Sequence, residues 1–128
     1  MNANEREYIE ELAHQCIGAA FDVSNALGSG FLEKVYENAL AHELRLRELS
    51  VRQQEPIKVR YKGVVVGDYV PDLLIDDLLL IELKCVNDFS PEHMAQCLNY
   101  LKGTGLSLCL LFNFQKPKVE FKRIVHNL

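Results

Sequence analysis

Several features that would place this chain in a specialised class are missing from its sequence. No apolar run approaches the ~20 residues that a helix needs to cross a bilayer. The N-terminal stretch MNANEREYIE is polar and acidic, unlike the apolar core of a secretory signal. We therefore expect a cytoplasmic protein without a membrane partner. Repeats, low-complexity stretches and Gly/Pro/Ser-rich linkers are also absent, so residues 1–128 are expected to form one domain.

Closely spaced cysteines are absent as well. The sequence has four cysteines but no C-x-x-C pair, whereas zinc and iron–sulfur sites usually take their ligands from such pairs. Each cysteine lies within an apolar pattern, where a reduced thiol packs as a small hydrophobic side chain. We predict that all of them are free thiols: Cys16, Cys85, Cys97 and Cys109.

An excess of positive charge is the third absence. The net charge is −4, which argues mildly against a protein that holds nucleic acid by charge alone. Divalent cations bound to a cluster of acids would offset this charge. The charge balance therefore does not exclude a nucleic-acid partner.

Helical spacing of apolar residues is present in two stretches near the N-terminus. The first runs from about Asn4 to Leu27 and the second from about Phe31 to Glu48, separated by the glycines of GSG. A third helix is predicted after Ser90, a favoured N-cap, and before Gly103 and Gly105. The inner face of the second helix is predicted to consist of Leu32, Val35, Tyr36, Ala39, Leu40 and Leu44.

Strand-like patterns fill the rest of the chain. EPIKVRYKGVVVGDYV predicts two strands with a turn at Lys62-Gly63. The second of them continues to Asp72 and leads through Asp76-Asp77 to a third strand, which carries Glu82. LSLCLLFNF and VEFKRIV predict two more strands after the third helix. The order α-α-β-β-β-α-β-β predicts an α/β (α+β) fold with a mixed central sheet flanked by helices.

Charged residues interrupt the apolar strands YVPDLLIDD and LLLIELKCV. Glu82 and Lys84 are two residues apart and so share a face. A three-residue loop centred on Asp77 would place Asp72 opposite Glu82, with Cβ atoms ~4.5–5.5 Å apart. A two-residue loop would put them on opposite faces, and Pro71 could mark a bulge that re-aims the carboxylate.

Two facing carboxylates repel each other unless a positive charge lies between them. Mg²⁺ or Mn²⁺ would supply that charge, because hard cations bind carboxylate oxygens. Lys84 would add a further positive charge beside a phosphate or an attacking water. The alternative is a solvated Glu82–Lys84 pair on an exposed face, with Asp72 capping a turn.

These residues resemble a known motif. Asp72 and Glu82-Leu83-Lys84 are similar to the D…(D/E)-x-K motif of the PD-(D/E)XK nuclease superfamily, with Pro71 completing it. The order of elements resembles the restriction-endonuclease-like αβββαβ core. GFLEKVY (residues 30–36) further resembles the signature of the GxxExxY family, a branch of that superfamily.

The resemblance implies a Mg²⁺- or Mn²⁺-dependent nuclease acting on nucleic acid, DNA in preference to RNA. Asp72 and Glu82 would bind metal and take part in catalysis, and Lys84 would be catalytic. The resemblance also implies Glu33 as a further metal ligand, with Glu37 in reserve. Glu33 would alternatively stabilise the helix start after a Gly30 N-cap.

Further candidates lie on the third helix. Gln96 and Tyr100 share a helix face and resemble a Q-x-x-x-Y motif that positions substrate or water. His93 is either a general base or a polar residue of the first helical turn, and Tyr36 is expected in the core. Two sets of basic residues could follow phosphates or simply be solvated: Arg45, Arg47, Arg52, Lys58, Arg60 and Lys62, and Lys116, Lys118, Lys122 and Arg123.

Two further possibilities follow for the whole chain. A homodimer would supply two sites for two strands. The alternative to a nuclease is a non-cleaving module that keeps the nuclease fold and binds nucleic acid or a protein partner.

Overall fold

Three helices surround a mixed sheet in the structure, a computed structural model that describes all 128 residues. The helices are α1 (Ala3–Leu27), α2 (Glu33–Leu46) and α3 (Pro91–Thr104). Asn2 caps α1, because its side chain accepts a hydrogen bond from the Glu5 amide. Ser90 caps α3, as predicted, and Pro91 occupies the first turn. No helix is long and apolar enough to cross a membrane.

The strands form one five-stranded sheet and one separate hairpin. The central sheet has the order β1-β4-β5-β6-β7, in which only the β5–β6 pair is parallel. The parallel pair is joined by α3, as a crossover connection requires. The strands are β1 (Val51–Gln53), β2 (Ile57–Tyr61), β3 (Val64–Tyr69), β4 (Leu73–Ile75), β5 (Leu79–Lys84), β6 (Leu108–Asn113) and β7 (Glu120–Val125).

Each face of the central sheet has its own apolar layer. Leu79, Ile81 and Leu83 of β5 belong to the larger cluster, which contains the buried apolar residues of α1 and α2. Leu80 points to the opposite face and packs with Leu101 and other residues of α3. The alternation along β5 places Glu82 on the α3 face, together with Leu80.

The predicted fold class is confirmed, whereas several element boundaries were wrong. The short strand β1 was not predicted, and β3 and β4 are separate strands. Asp72 precedes β4 instead of lying within it. Helix α2 begins at Glu33, with Leu32 as N-cap in place of Gly30. The N-cap position explains why Leu32 is 79% exposed and not part of the inner face. Val35 is exposed as well, and Glu37 and Ala41 are buried instead.

The hairpin β2–β3 stands apart from the central sheet. Its turn is the predicted Lys62-Gly63, and both residues have positive φ, as a tight two-residue hairpin turn requires. A bulge shifts its register between Val59 and Arg60. The inner side of the hairpin lies against α3, where a Cβ at Gly103 would be 3.5 Å from Val59 and 3.8 Å from Ile57.

The four cysteines are free, as predicted. Cys16, Cys97 and Cys109 are buried and Cys85 is half-buried.

Candidate active site

The β4–β5 hairpin brings Asp72 next to Glu82. Leu73 pairs with Ile81 and Ile75 pairs with Leu79, which leaves a three-residue loop centred on Asp77, as predicted. The same register continued by one residue places Asp72 opposite Glu82. The two carboxyl groups are within hydrogen-bonding reach of each other. Their positions exclude the two-residue loop, which would have separated them.

Asp72 is held in place by neighbours on both sides. Its Oδ2 accepts a hydrogen bond of 2.8 Å from the Leu83 amide of β5, and its Oδ1 accepts one of 3.0 Å from the Gln54 side chain. The backbone carbonyl of Asp72 also accepts a hydrogen bond of 3.0 Å from the Gln54 amide. Asp72 therefore has a fixed orientation, with its carboxylate directed at β5.

Glu82 is the most unusual residue of the site. It is only 4% exposed, and its Oε2 has no hydrogen-bond partner. Burial, together with the nearby Asp72 carboxylate, raises the pKa of Glu82 to about 10, and the Tyr100 hydroxyl and Lys84 offset part of this rise. A buried carboxyl group without a full set of partners is costly to a folded protein, and a bound cation would offset that cost.

Lys84 and Glu33 lie at the rim of this pair. Lys84 is half-buried and forms no salt bridge, although its charge acts on both Glu82 and Glu33. Partial burial of the carboxyl group raises the pKa of Glu33, although the residue as a whole is exposed. Asp72 raises the pKa of Glu33 further and Lys84 lowers it. The Glu33 carboxyl group therefore shares the electrostatic environment of the site.

Glu37, the reserve metal ligand suggested by the sequence, has a carboxylate that is already occupied by hydrogen bonds. Its carboxylate is buried and accepts hydrogen bonds from Lys34, Gln53 and Gln54, at 2.8 to 2.9 Å. The Gln54 amide also contacts Asp72, so it connects the Glu37 carboxylate to the site. Gln54 was missed from the sequence. Gln54 has a positive φ, and no sequence pattern around it predicts this backbone conformation.

The residues of GFLEKVY define the start of α2. Gly30 has a φ of +111°, a conformation in which a side chain would be strained. Tyr36 is fully buried, as predicted, and its hydroxyl donates a hydrogen bond of 2.6 Å to the Gly28 carbonyl and accepts one from the Phe31 amide. Tyr36 also stacks on Phe114. These contacts fix the loop before α2 and thereby the position of Glu33.

Helix α3 contributes Tyr100 directly to the site. Burial and the nearby Glu82 carboxyl group raise the pKa of Tyr100. Gln96 lies one turn earlier on the same helix. It is half-buried, and its side chain forms no hydrogen bond. His93 completes a capping box, because its Nδ1 accepts a hydrogen bond of 3.0 Å from the Ser90 amide. The first-turn explanation of His93 is therefore the correct one.

The donor set at the site fits a hard divalent cation held by few protein ligands. No three Asp, Glu, His or Cys side chains converge closely enough to enclose a metal ion by themselves. Mg²⁺ is typically bound by one or two carboxylates, with water and substrate oxygens completing the shell. Asp72 and the unpartnered Oε2 of Glu82 supply such a pair, whereas Glu33 lies outside any cluster of three ligands.

The mixed five-stranded sheet and its flanking helices define the restriction-endonuclease-like class of fold. The chain belongs to the PD-(D/E)XK nuclease superfamily, whose family model matches residues 10–124. Nucleases of this superfamily generally use divalent metal ions. No protein with a curated description matches the chain.

Two solved structures have a similar fold. The alkaline exonuclease LHK-Exo from Laribacter hongkongensis, in complex with dAMP, is 18% identical with a TM-score of 0.51 over 84% of this chain and 76% of the exonuclease. The crystal structure of SSO0001 is 17% identical, with a TM-score of 0.56 over 98% of this chain and 63% of SSO0001. At these identities the likeness shows the fold alone.

Proposed function

We propose that this chain is a divalent-metal-dependent nuclease that hydrolyses phosphodiester bonds of nucleic acid, DNA in preference to RNA. The observation that carries this proposal is the buried Glu82 carboxyl group, which faces Asp72 and leaves Oε2 without a partner. A domain without a ligand at this position gains nothing from such a group, because burying it unpaired is unfavourable. The unpaired Lys84 beside it supports the same proposal.

Each residue of the site has a role in this proposal. Asp72 and Glu82 would hold Mg²⁺ or Mn²⁺, and Glu33 would assist from the start of α2. When bound, the cation supplies positive charge for the phosphoryl oxygens and acidifies a coordinated water. The role of Lys84 is to donate a hydrogen bond to the attacking water or to a phosphoryl oxygen. Gln96 and Tyr100 of α3 would orient the water or the substrate.

The reaction is a displacement at phosphorus. The oxygen of water forms the new bond to phosphorus while the bond to the departing sugar oxygen breaks. The proton released by the water passes to solvent, and the departing oxygen takes up a proton from solvent. Glu82 must itself lose its proton before it binds a cation, because only the carboxylate form is a ligand.

The competing function is a non-cleaving module that binds nucleic acid or a protein partner. It would retain the fold but derive no benefit from Asp72, Glu82 and Lys84 together. Incubation of the protein with plasmid, linear duplex, single-stranded DNA and RNA, with and without Mn²⁺, separates the two functions. The nuclease proposal expects Mn²⁺-dependent cleavage of at least one of these substrates. No cleavage of any of them would support the binding module.

Site variants test the assignment of roles. Calorimetric titration with Mn²⁺ should show binding that is abolished in Asp72→Asn and Glu82→Gln but kept in Glu7→Gln, which removes an exposed acid from α1. Lys84→Met should keep Mn²⁺ binding and reduce cleavage by at least about 100-fold, the effect expected on removal of a group that stabilises charge in the transition state. Equal Mn²⁺ binding in Asp72→Asn, Glu82→Gln and the wild type would contradict the assignment of Asp72 and Glu82 as metal ligands.

Four broader assignments accompany this function. The GxxExxY residues Gly30, Glu33 and Tyr36 support membership of that branch, and the continuous cores on both faces of the sheet support one nuclease-like domain over residues 1–128. Free thiols are compatible with the reducing cytoplasm. A homodimer would bring two such sites to the two strands of a duplex. Light scattering of the purified protein would test the oligomeric state.

A further inference from the structure

The hairpin β2–β3 is the most exposed apolar and basic element of the chain. Every residue of β3 is exposed, and the tip residue Tyr61 is 63% exposed. The hairpin shares no strand pairing with the central sheet. An element of this kind contributes little to the core, so its surface is free to serve another purpose.

The basic side chains of the hairpin form no salt bridges, unlike several basic side chains elsewhere in the chain. Arg47, Arg52, Lys116 and Arg123 each form salt bridges with neighbouring acids. Lys58, Arg60 and Lys62 form none, and they recur at every second residue of β2 and the turn that follows. Alternate residues of a strand share a face. The only acid within the hairpin is Asp68, which lies opposite Lys58 in the register.

The base of the hairpin is fixed next to the candidate active site. The ring of Tyr69 makes an edge-to-face contact with the ring of Tyr100, with centroids 5.6 Å apart. Tyr100 in turn lies beside Glu82. After Tyr69 the chain continues through Val70 and Pro71 to Asp72. The base of the hairpin is therefore close to the acids.

We propose that the hairpin β2–β3 is the nucleic-acid-binding element of this chain, with Arg60 and Lys62 contacting backbone phosphates and Tyr61 stacking on a base. This inference rests on the proposed nuclease function. The net charge of −4 makes a local basic surface necessary for a polyanionic substrate. Lys62 lies 5.4 Å from the centroid of the Tyr61 ring, so the cation and the stacking surface are presented together. Stacking on aromatic side chains is a common means of holding unpaired bases.

A charge-matched pair of double variants tests the proposal. Arg60→Gln with Lys62→Asn removes two hairpin charges and keeps the turn, since Asn-Gly is highly favoured at such a position. Lys118→Gln with Lys122→Gln removes two unpaired charges from the other basic set. Each protein would be titrated in EDTA, which prevents metal-dependent cleavage, into labelled single-stranded DNA, duplex DNA and RNA at several salt concentrations. Anisotropy of the label reports binding, and thermal unfolding confirms that each variant is folded.

The hairpin variant should bind at least about tenfold more weakly than the wild type. The slope of log K against log salt should become shallower by about 0.7 to 0.9 for each phosphate that the variant no longer neutralises. Tyr61→Ser should weaken binding to single strands by at least about fivefold without changing the salt slope. The control variant should behave as the wild type.

Three results would overturn the inference. Unchanged affinity and slope in the hairpin variant would exclude it while leaving the nuclease proposal intact. Weakened binding in the control variant alone would place the interface on the C-terminal basic set. A change in oligomeric state of the hairpin variant without a change in affinity would make the hairpin a surface between two copies. Absence of binding by the wild type itself would instead count against the proposed function.

Discussion

Glu82 combines two properties that rarely occur together in one residue: it is buried, and one of its oxygens has no partner. Its pKa of about 10 means that the carboxyl group keeps its proton at neutral pH in the metal-free protein. The unfolded chain releases that proton near pH 4.5, the usual value. Because only the folded state binds the proton between these values, the free energy of unfolding falls as the pH rises from about 4.5 toward 10.

The neutral variant Glu82→Gln should escape this decrease in stability. The amide resembles the protonated carboxyl group and does not titrate, so the variant should exceed the wild type in melting temperature by a margin that grows between pH 5 and pH 9 in EDTA. Glu7→Gln, which removes an exposed carboxyl group from α1, is the control for the loss of one acid. A margin for Glu82→Gln that shrinks with rising pH would contradict the raised pKa.

Gln54 is a positioning residue by its contacts, because one amide joins the Glu37 carboxylate to Asp72. Gln54→Ala should weaken Mn²⁺ binding by roughly 10- to 100-fold, the usual effect of removing a group that orients a metal ligand. Gln53→Ala is the matched control, since Gln53 contacts Glu37 but not Asp72. Calorimetric titration would measure both. Equal weakening in the two variants would assign the effect to Glu37 or to the fold instead of to the orientation of Asp72.

The sequence allowed the proximity of Asp72 and Glu82 to be predicted because a three-residue loop fixes the register of a hairpin. The partners of these acids could not be predicted in the same way. Gln54 lies 18 residues before Asp72, and its side chain is directed by a backbone conformation that no local pattern specifies. Tyr100 was proposed from its resemblance to a Q-x-x-x-Y motif, whereas its contact with Glu82 depends on how α3 packs.

At the scale of elements, the two glycines at the end of α3 have opposite requirements. Gly103 lies within the helix, and a Cβ there would meet Val59 at 3.5 Å, an ordinary contact distance. Gly103→Ala should therefore stabilise the protein by about 0.5–1 kcal/mol, the helix propensity gained. Gly105 caps the helix with a φ of +76°, so Gly105→Ala should destabilise by about 1–2 kcal/mol. Urea unfolding would measure both, and a destabilising Gly103→Ala would show that the hairpin cannot accommodate the methyl group.

The long helices and the apolar strands of the centre could be predicted because each has a strong period. Strand β1 could not, since it has only three residues, Val51–Gln53, and owes its pairing to β4. The exposed Leu32 was wrongly assigned to the inner face of α2, because it fits the apolar period of the helix although it lies at the N-cap. Whether so short a segment as β1 becomes a strand depends on its pairing with β4, which is distant in sequence.

At the scale of the whole molecule, the central sheet separates a thick layer from a thin one. Eight residues of α1 are buried, and all of them except Ser24 belong to a cluster of 21 buried residues. Helix α3 buries only Cys97, Tyr100 and Leu101, within a cluster of six. The hairpin rests on this thin side. The sequence predicted helices on both faces of the sheet but could not reveal this inequality, because it arises from which side chains meet across the layers.

The thin layer should open more readily than the rest of the protein. Local opening requires less free energy where it exposes little buried apolar surface to water. The amides in the middle of α3 and of β2 should therefore exchange with deuterium faster than those of α1, β5 and β6, in the native protein without denaturant. The middle of α1 is the matched control for α3, since both are capped at the N-terminus by a side chain. Protection of α3 equal to that of β5 and β6 would show that the two layers unfold as one cooperative unit, with Tyr100 as firmly held as the strand that carries Glu82.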